Sequence, residues 1–471
     1  MSTESFSYTL EAFLALTEAP DGGFVLDIQG QQIAIDNVLR FLPGKRLVGK
    51  ATIDGKTVLA KCFLGSSAER HIKRELAGLG SFVRAGIDTP AIIASEKLQN
   101  FGFITTEFLA ESQSLDALWQ SDLSDEKRVG LLKSVVETVA KLHQHNIIHK
   151  DPHLDNFLIS EDKLFLIDGG GVHQESSPLS QQAALDNLAF FLSVLFPRHD
   201  HLSLKCIAAY QRIYPLEGLD EQSLAEAIWK KRKWRERYLE KVFRTCTDFV
   251  AESNFRHFQV VDRNEISEAL TDFLATPDTY INTGQVLKRG TTNTVSIVTL
   301  NDGKKVFVKR YKSTKGVLHK YLRGIRKSRA RNAWYVAHYL LRLLGIDTPK
   351  PLALLEHKFG CFVNCSYLVT EYVEADDAFH YFTQLQESSP EAEKRARSLL
   401  EMLRILKDGM VYHGDMKATN FMFSHDRHMV IDLDQTVILD SREKAAKYLR
   451  KDSERFSRNW VVGSVAAQLF K

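Results

Sequence analysis

One short polar motif occurs twice in this chain of 471 residues, with the same internal spacing each time. In each copy an Asp is followed five positions later by an Asn, and twelve positions after the Asn by a second Asp. The first copy is Asp151, Asn156 and Asp168, and the second is Asp415, Asn420 and Asp432. Two copies with identical intervals indicate that the chain builds the same local structure at two places.

The residue types of the motif suit phosphoryl transfer, and their spacing is typical of the catalytic loop of protein-kinase-like phosphotransferases. The first Asp of each copy, Asp151 or Asp415, is predicted to orient the attacking hydroxyl group. The Asn and the second Asp offer oxygen ligands of the kind magnesium prefers. The predicted metal ligands are therefore Asn156, Asp168, Asn420 and Asp432. Two positions after the first Asp, His153 and Lys417 are further catalytic candidates, Lys417 as the residue that steadies the transferring phosphate.

A strand and the helix after it predict the nucleotide contacts of the first copy. A β-hairpin delivers Lys61 on its second strand, where a kinase small lobe has its phosphate-binding lysine. Apolar residues at helical spacing predict a helix over residues 69–84. This helix presents Glu75 as the partner that holds Lys61 in place. Glu107 and Leu109 lie on the predicted linker between the lobes, where the backbone would hydrogen-bond adenine.

The same order of elements restarts in the second half, so a whole domain is duplicated. The segment Gly86-Ile-Asp-Thr-Pro90 recurs letter for letter, ending at Pro349. The corresponding nucleotide-binding candidates are Lys309, Gly290 in the phosphate-covering loop, and Glu371 and Val373 on the linker.

The helix glutamate has no obvious counterpart in the second copy. Counting back from Pro349 by the interval that separates Glu75 from its proline falls on Trp334, and no acidic residue occurs between Lys309 and Asp347. An unpaired buried cation is costly. Either a carboxylate from elsewhere pairs with Lys309, or the second site is impaired, and the sequence leaves both alternatives open.

The predicted fold class is α+β, with two tandem protein-kinase-like domains that each have a small β-rich lobe and a mainly helical lobe. Residues 1–39 are predicted to be an N-terminal extension. The first domain spans residues 40–275, with its small lobe at 40–109 and its large lobe at 110–275. The second domain spans residues 284–471, with its small lobe at 284–373 and a shortened large lobe at 374–471.

The segments downstream of the motifs argue against a peptide substrate. Only 39 residues follow Asp432, and neither copy is followed by the Ala-Pro-Glu triplet of protein kinases. Those elements normally build the platform on which a peptide lies. A small-molecule or glycolipid acceptor fits better.

The composition argues against a disordered chain and against a small protein held together by disulfides. Hydrophobic residues make up 44% and charged residues 26%, as in ordinary globular chains. The five cysteines are odd in number and widely spaced, so we expect a reducing compartment and no disulfide framework. No secretory signal and no apolar run long enough to span a bilayer is evident. The predicted localisation is cytoplasmic.

With these landmarks in view, the chain resembles the lipopolysaccharide core kinase (Kdo/WaaP, InaA-like) family, and in particular its tandem members. The resemblance rests on the Lys, Asp…Asn and Asp landmarks of each copy and covers about residues 40–440. It implies ATP- and magnesium-dependent phosphorylation of a sugar hydroxyl, typically heptose or Kdo, on the inner core of lipopolysaccharide. The implied acceptor is this core, or a lipid-linked glycan, at the cytoplasmic face of the inner membrane.

Two basic runs suit such an acceptor. Residues 309–331 contain ten Lys or Arg and no acid, with apolar residues interleaved, and residues 230–237 form a second cluster. A solvated face is the ordinary interpretation of such runs. Near an anionic membrane each cation contributes about 1 kcal/mol, so the runs predict peripheral contact with the inner-membrane surface. Neither run matches a nucleic-acid-binding module, and no nucleic acid is expected.

Two other functions stay open at this point. A non-catalytic or regulatory tandem pseudokinase scaffold in lipopolysaccharide biosynthesis is favoured by the missing helix glutamate. A protein kinase is opposed by the missing Ala-Pro-Glu triplet. The sequence leaves undecided which sugar is the acceptor, which site is active and what the oligomeric state is.

Overall fold

The computed structural model describes residues 6–470 except 21, 29, 152, 313–326 and 426. The chain divides into two compact units. Unit 1 comprises residues 1–195 and 199–231, and unit 2 comprises residues 196–198 and 232–471. Each unit contains a seven-stranded sheet and a set of helices, which confirms the α+β fold class.

The sheet of unit 1 is almost entirely antiparallel. Its strands are β1 (Phe6–Thr9), β2 (Phe24–Ile28), β3 (Gln31–Leu42), β4 (Arg46–Ile53), β5 (Lys56–Leu64), β6 (Ile92–Leu98) and β7 (Phe101–Glu107). They lie in the order β1-β2-β3-β4-β5-β7-β6, and only β1 and β2 are parallel. Side chains alternate between the two faces of a strand. Since Ala60 and Cys62 of β5 are buried in the core, Lys61 points to the opposite face.

Helices and short strands complete unit 1. The helices are α1 (Leu10–Leu14), α2 (Ala68–Arg84), α3 (Leu115–Gln120), α4 (Asp125–Gln144), α5 (Gln181–Leu192), α6 (Asp200–Leu204), α7 (Ile207–Ile213) and α8 (Glu221–Tyr238), the last of which contains the division between the units. The short strands are β8 (Gln113–Ser114), β9 (Ile147–His149), β10 (Phe157–Ser160), β11 (Lys163–Leu166) and β12 (Val172–Gln174). Helices α4, α5 and α7 share one apolar core with β9 and β10, and this core supports the catalytic loop.

The sheet of unit 2 repeats five strands of the first sheet. Its strands are β13 (Phe249–Ser253), β14 (His257–Asp262), β15 (Gln285–Arg289), β16 (Asn293–Thr299), β17 (Lys305–Lys312), β18 (Pro351–Phe359) and β19 (Phe362–Glu371), in the order β13-β14-β18-β19-β17-β16-β15. The run β18-β19-β17-β16-β15 matches β6-β7-β5-β4-β3 of unit 1. The two additional strands join beside β3 in unit 1 and beside β18 in unit 2, which are opposite edges of the shared sheet.

The rest of unit 2 is mainly helical. Its helices are α9 (Glu268–Ala275), α10 (Pro277–Thr283), α11 (Arg329–Tyr339), α12 (Ala378–Thr383), α13 (Pro390–Asp408), α14 (Arg442–Ser457) and α15 (Val465–Leu469). A π-helical turn, Leu340–Leu344, continues α11. The short strands are β20 (Asp376–Asp377), β21 (Val411–Tyr412), β22 (Phe421–Ser424), β23 (Arg427–Val430) and β24 (Val437–Ile438).

The observed divisions differ from the predicted ones at two places. Residues 1–39 were expected to be an extension, but β1, β2 and most of β3 belong to the first sheet. The first domain was expected to reach residue 275, yet the chain from Arg232 onward belongs to unit 2, and the sheet of unit 2 includes β13 and β14. Both errors have one cause: a strand added at a sheet edge pairs through backbone hydrogen bonds and leaves no motif in the sequence.

Candidate active site

Two hydrogen bonds to backbone carbonyls fix the shape of the catalytic loop of unit 1. The Asn156 side chain donates from Nδ2 to the Asp151 carbonyl at 2.8 Å, and the Ile167 amide donates to the Asn156 carbonyl at 2.9 Å. These two bonds place the predicted metal ligands side by side. Asp168 then adopts left-handed backbone angles, with φ at +66°. Non-glycine residues adopt this conformation rarely, and often at functional sites.

Lys61 and Glu75 form the ion pair that the sequence predicts. Lys61 Nζ lies 2.5 Å from Glu75 Oε1, and the side chains are 12% and 2% exposed. Glu75 Oε2 also accepts a hydrogen bond from the Gly170 amide at 2.9 Å. Helix α2 approaches this loop closely, because a Cβ atom added at Gly78 would lie 2.0 Å from the Gly169 carbonyl oxygen. Glu75 therefore ties the lysine, the helix and the segment after Asp168 together.

The two aspartates of unit 1 are both held in their charged form. A hydrogen bond from His153, whose Nε2 lies 3.2 Å from Asp151 Oδ1, lowers the pKa of Asp151. Burial alone would raise the pKa of Asp168, but the positive charge of Lys61 and further interactions outweigh it and leave that pKa lowered. A charged Asp151 can accept a hydrogen bond from an attacking hydroxyl.

Unit 2 reproduces the loop bond for bond. Asn420 Nδ2 donates to the Asp415 carbonyl at 2.8 Å, and the Ile431 amide donates to the Asn420 carbonyl at 2.9 Å. Asp432 has φ at +63°, matching Asp168. The repeated sequence motif therefore corresponds to a repeated backbone geometry.

The lysine of unit 2 has a different partner. Lys309 Nζ lies 2.7 Å from Asp432 Oδ1. Burial raises the pKa of Asp432, but the charge of Lys309 outweighs this effect and the pKa is lowered overall. Of the two alternatives left open by the sequence, the structure shows a substitute carboxylate, and it is the predicted metal ligand itself.

The helix residue opposite Lys309 is an alanine. Counting residues back from Pro349 gave Trp334 as the position equivalent to Glu75, and the π-helical turn corrects that assignment. A π turn inserts one extra residue into a helix, so the position equivalent to Glu75 moves from Trp334 to Ala333. Trp334 is fully buried in the core, where its Nε1 donates to the Val242 carbonyl at 3.0 Å. Ala333 and Ala337 face Lys309 across a cleft of about 450 Å³.

The cleft of unit 2 gathers several of the predicted nucleotide contacts. Its lining includes Lys309, Glu371, Val373 and Asp432. Gly290 lies in the tight turn between β15 and β16, where its amide donates to the Asn293 carbonyl at 2.8 Å, and is not among the residues that line this cleft. In unit 1, Glu107 ends β7 and Leu109 follows it, at the position of the linker.

Asp415 is surrounded by cations, one of which the sequence did not indicate. Lys417 Nζ lies 2.9 Å from Asp415 Oδ2, and Arg455 Nη2 lies 2.7 Å from Oδ1. Burial raises the pKa of Asp415, but Lys417 and Arg455 outweigh it, so the pKa is lowered. Asp452, also on α14, accepts hydrogen bonds from the His413 and Gly414 amides at 2.6 and 3.2 Å. No motif marks α14, and only the fold brings it to the loop.

The oxygen ligands of each loop fit a magnesium ion. The nitrogen of each Asn side chain is engaged by a backbone carbonyl, which leaves the amide oxygen as the free ligand beside Asp168 or Asp432. Among the described residues no group of three or more His, Cys, Asp or Glu could hold a metal ion. Magnesium bound with a nucleotide usually takes part of its coordination from phosphate oxygens and water, so an Asn and an Asp in each loop would suffice as its protein ligands.

The structure describes only part of the two predicted basic runs. Residues 313–326, which form most of the predicted run 309–331, lie outside the described residues. In the run 230–237, Lys231 pairs with Asp186 at 2.7 Å and Lys233 with Glu236 at 3.0 Å, so these cations are partly neutralised. In the part of the chain that the structure describes, no helix has the length and apolar character to cross a membrane.

The fold and the two loops define a chain with two protein-kinase-like units. Residues 61–206 match the model of the lipopolysaccharide kinase (Kdo/WaaP) family, and residues 295–462 match the model of the RIO domain. The predicted resemblance to the lipopolysaccharide kinase family is thereby confirmed, and the second half is more specifically similar to a RIO domain. Both models describe kinase-like domains, which confirms the tandem organisation.

One solved structure similar to this chain is described as WaaP in complex with acyl carrier protein. It is 21% identical in sequence, covers 44% of this chain and 89% of its own, and has a TM-score of 0.33. No curated protein matches this chain.

Proposed function

We propose that this protein is an ATP- and magnesium-dependent phosphotransferase that phosphorylates a sugar hydroxyl, heptose or Kdo, of the lipopolysaccharide inner core. We place the reaction in unit 1. The observation that carries this proposal is the buried Lys61–Glu75 pair beside a loop that holds Asp151, Asn156 and Asp168.

In unit 1 the side chains proposed to bind ATP, magnesium and the acceptor are already held in place by their neighbours. Lys61, held by Glu75, would contact the α- and β-phosphates of ATP. Asp151, kept charged by His153, would accept a hydrogen bond from the acceptor hydroxyl and orient it toward the γ-phosphate. Asn156 and Asp168 would hold magnesium, which neutralises the charge that develops on the phosphates.

The short segment after Asp168 supports an acceptor that is not a peptide. The chain passes from the 3₁₀ turn Gly169–Gly171 into β12, which pairs with β9, and α5 begins at Gln181. This leaves little chain with which to build a peptide platform. The match of residues 61–206 to the lipopolysaccharide kinase family supports a glycolipid core as the acceptor, reached from the cytoplasmic side of the inner membrane.

Turnover of ATP by the purified full-length chain tests this proposal. With magnesium and a core glycolipid lacking phosphate, ADP release and phosphorylated glycolipid should appear together, and Asp151→Asn should lower the rate of both about 1,000-fold. ATP turnover that is unchanged by Asp151→Asn would refute the assignment to unit 1. Phosphate transfer to a generic protein, with none to the glycolipid, would favour a protein kinase.

For unit 2 we propose nucleotide binding without efficient transfer. Two observations favour this function: Lys309 pairs with the metal-ligand candidate Asp432, and Asp415 is engaged by Lys417 and Arg455. Saturable ATP binding that survives Lys61→Ala but is lost when Lys309→Ala is added to that variant would support it. The absence of any binding attributable to Lys309 would leave unit 2 a scaffold.

A further inference from the structure

Two hairpin turns of unit 2 meet at one end of its sheet and expose an aromatic pair. The turn between β13 and β14 contains Phe255, and Phe359 is the last residue of β18, immediately before its turn into β19. His257 of β14 lies opposite His357 of β18, so both turns are at the same end. The rings of Phe255 and Phe359 are 59% and 64% exposed, with centroids 4.6 Å apart in an edge-to-face arrangement.

Backbone hydrogen bonds join the two turns into one structure. The Lys358 amide donates to the Arg256 carbonyl at 2.7 Å, and the Gly360 amide donates to the Phe255 carbonyl at 2.9 Å. Asn254 Oδ1 accepts from the Arg256 amide at 2.7 Å. These bonds fix the backbone that carries the two rings before any partner binds. A preorganised surface of this kind loses little conformational entropy on binding.

Cations flank the two rings, and the exposed Glu252 lies three residues before Phe255 in the same hairpin. Residues 253–257 and 357–365 include Arg256 and Lys358 and contain no Asp or Glu. Lys312, at the end of β17, pairs in register with Cys365 and is exposed at the same end. Exposed aromatic rings flanked by cations match the boundary of an anionic bilayer, where the rings enter the acyl edge and the cations meet lipid phosphates.

We propose that Phe255, Arg256, Lys358 and Phe359, named here the aromatic tip, dock unit 2 onto an anionic phospholipid surface. The two rings of the tip pack directly against each other, and Arg256 and Lys358 flank them, an arrangement that favours an anionic bilayer over a folded protein partner. The choice of a bilayer rests on the membrane-embedded acceptor of the proposed function. Docking itself requires neither nucleotide nor phosphoryl transfer.

Flotation of the full-length protein with vesicles tests the aromatic tip. Vesicles of equimolar phosphatidylglycerol and phosphatidylcholine are compared with vesicles of phosphatidylcholine alone, without ATP or glycolipid. Wild type should bind the anionic vesicles. Phe255→Ser with Phe359→Ser should weaken this binding at least about tenfold, because the apolar contact is lost. Arg256→Gln with Lys358→Gln should weaken it by a similar factor and remove the preference for phosphatidylglycerol.

The native Cys361 provides a local readout, because it is exposed whereas Cys62 and Cys206 are buried. Cys246 and Cys365 are partly exposed and are replaced by serine in every protein that is labelled. An environment-sensitive dye on Cys361 should shift to the blue with anionic vesicles in wild type, and not in the double Phe variant. Val462→Ser is the matched control, since Val462 is 97% exposed and lies outside the tip. This variant should bind as wild type does.

Several outcomes would overturn the proposal. Unchanged vesicle binding by the double Phe variant would do so, as would equal binding to both vesicle types. A wild-type dimer that the double Phe variant loses, without vesicle binding by either, would assign the tip to a second copy of this chain. Failure of phosphoryl transfer would leave these results unaffected, because the vesicles contain no acceptor sugar. Transfer to a delipidated, soluble core acceptor should be unchanged in the double Phe variant.

Discussion

The two units build the same catalytic loop but neutralise its lysine differently. In unit 1 the partner of Lys61 is Glu75, which leaves Asp168 available to a metal. In unit 2 the partner of Lys309 is Asp432 itself. With Oδ1 of Asp432 engaged by Lys309, less of this carboxylate is available to a metal than in unit 1. The backbone geometry of a kinase-like loop is therefore retained in unit 2, although its lysine is paired differently from that of unit 1.

The comparison also separates two roles of the helix glutamate. Glu75 pairs with Lys61 and also joins α2 to the loop by accepting from the Gly170 amide. In unit 2 another pair joins α11 to the loop: Arg329 Nη2 lies 2.6 Å from Asp434 Oδ2. In unit 2 a different ion pair therefore joins the helix to the loop, but no described helix residue takes over the contact that Glu75 makes with the lysine. Helix α11 therefore contacts its loop without contacting the lysine, whereas α2 contacts both.

The largest expected effect comes from comparing substitutions of Asp151 and Asp415, the equivalent aspartates of the two loops. Asp151→Asn should lower kcat for core-glycolipid phosphorylation by about 1,000-fold, because the oriented carboxylate contact to the hydroxyl is lost. Asp415→Asn should change it less than about threefold, within the scatter of substitutions outside the reacting centre. Steady-state kinetics of both full-length variants measure the contrast. The reverse pattern would place the reaction in unit 2.

Breaking the lysine contact in unit 1 should have the next largest effect. Glu75→Gln removes a charged partner of Lys61, and hydrogen bonds to charged groups are worth about 1.5–3 kcal/mol. We expect kcat/KM for ATP to fall by about 10- to 100-fold with little change in acceptor KM. Glu69→Gln is the matched control on the same helix, where Glu69 is exposed and pairs only with Lys73. Equal losses in both variants would contradict a specific role for Glu75.

Acid should destabilise unit 2 through a buried histidine. Burial lowers the pKa of His338 to about 3, whereas the unfolded value is near 6.5. The unfolded chain therefore binds a proton that the folded chain excludes, and stability falls as pH drops below about 6.5. The loss attributable to His338 should be about 2 kcal/mol between pH 7 and pH 5. His338→Leu should flatten the dependence of the chemical-denaturation midpoint on pH over this range, and an unchanged slope would exclude this contribution.

The smallest expected effect comes from restoring a carboxylate in unit 2. Ala333→Glu places an acid on the cleft-facing position of α11 and should draw Lys309 away from Asp432. Magnesium-dependent ATP binding at this site should tighten about fivefold, the size of a modest coupling between sites, as measured by calorimetry in a Lys61→Ala background. Ala337→Gln is a polar control in the same cleft. Equal affinity with and without Ala333→Glu would show that the Asp432 pair does not limit metal binding.

The sequence predicted local structure best where the spacing of residues along the chain directly determines the backbone conformation. The interval from Asp151 to Asn156 is spanned by one tight loop, so the residue types reveal the local structure. Helix α2 was also predictable, because its apolar residues recur at helical spacing around the buried Glu75. By contrast, β13 and β14 join the second sheet through backbone pairing, for which the residue types give no specific signal.

The sequence by itself determined that this chain has two kinase-like loops with a lysine, two aspartates and an asparagine each. Only the tertiary structure decided how their charges are paired. A π turn of one extra residue moved Ala333 rather than Trp334 to the cleft, and α14 brought Arg455 to Asp415 from 40 residues away. Ion pairs depend on distances of a few ångströms. Such distances are set by packing between distant segments, which the spacing of residues along the chain does not encode.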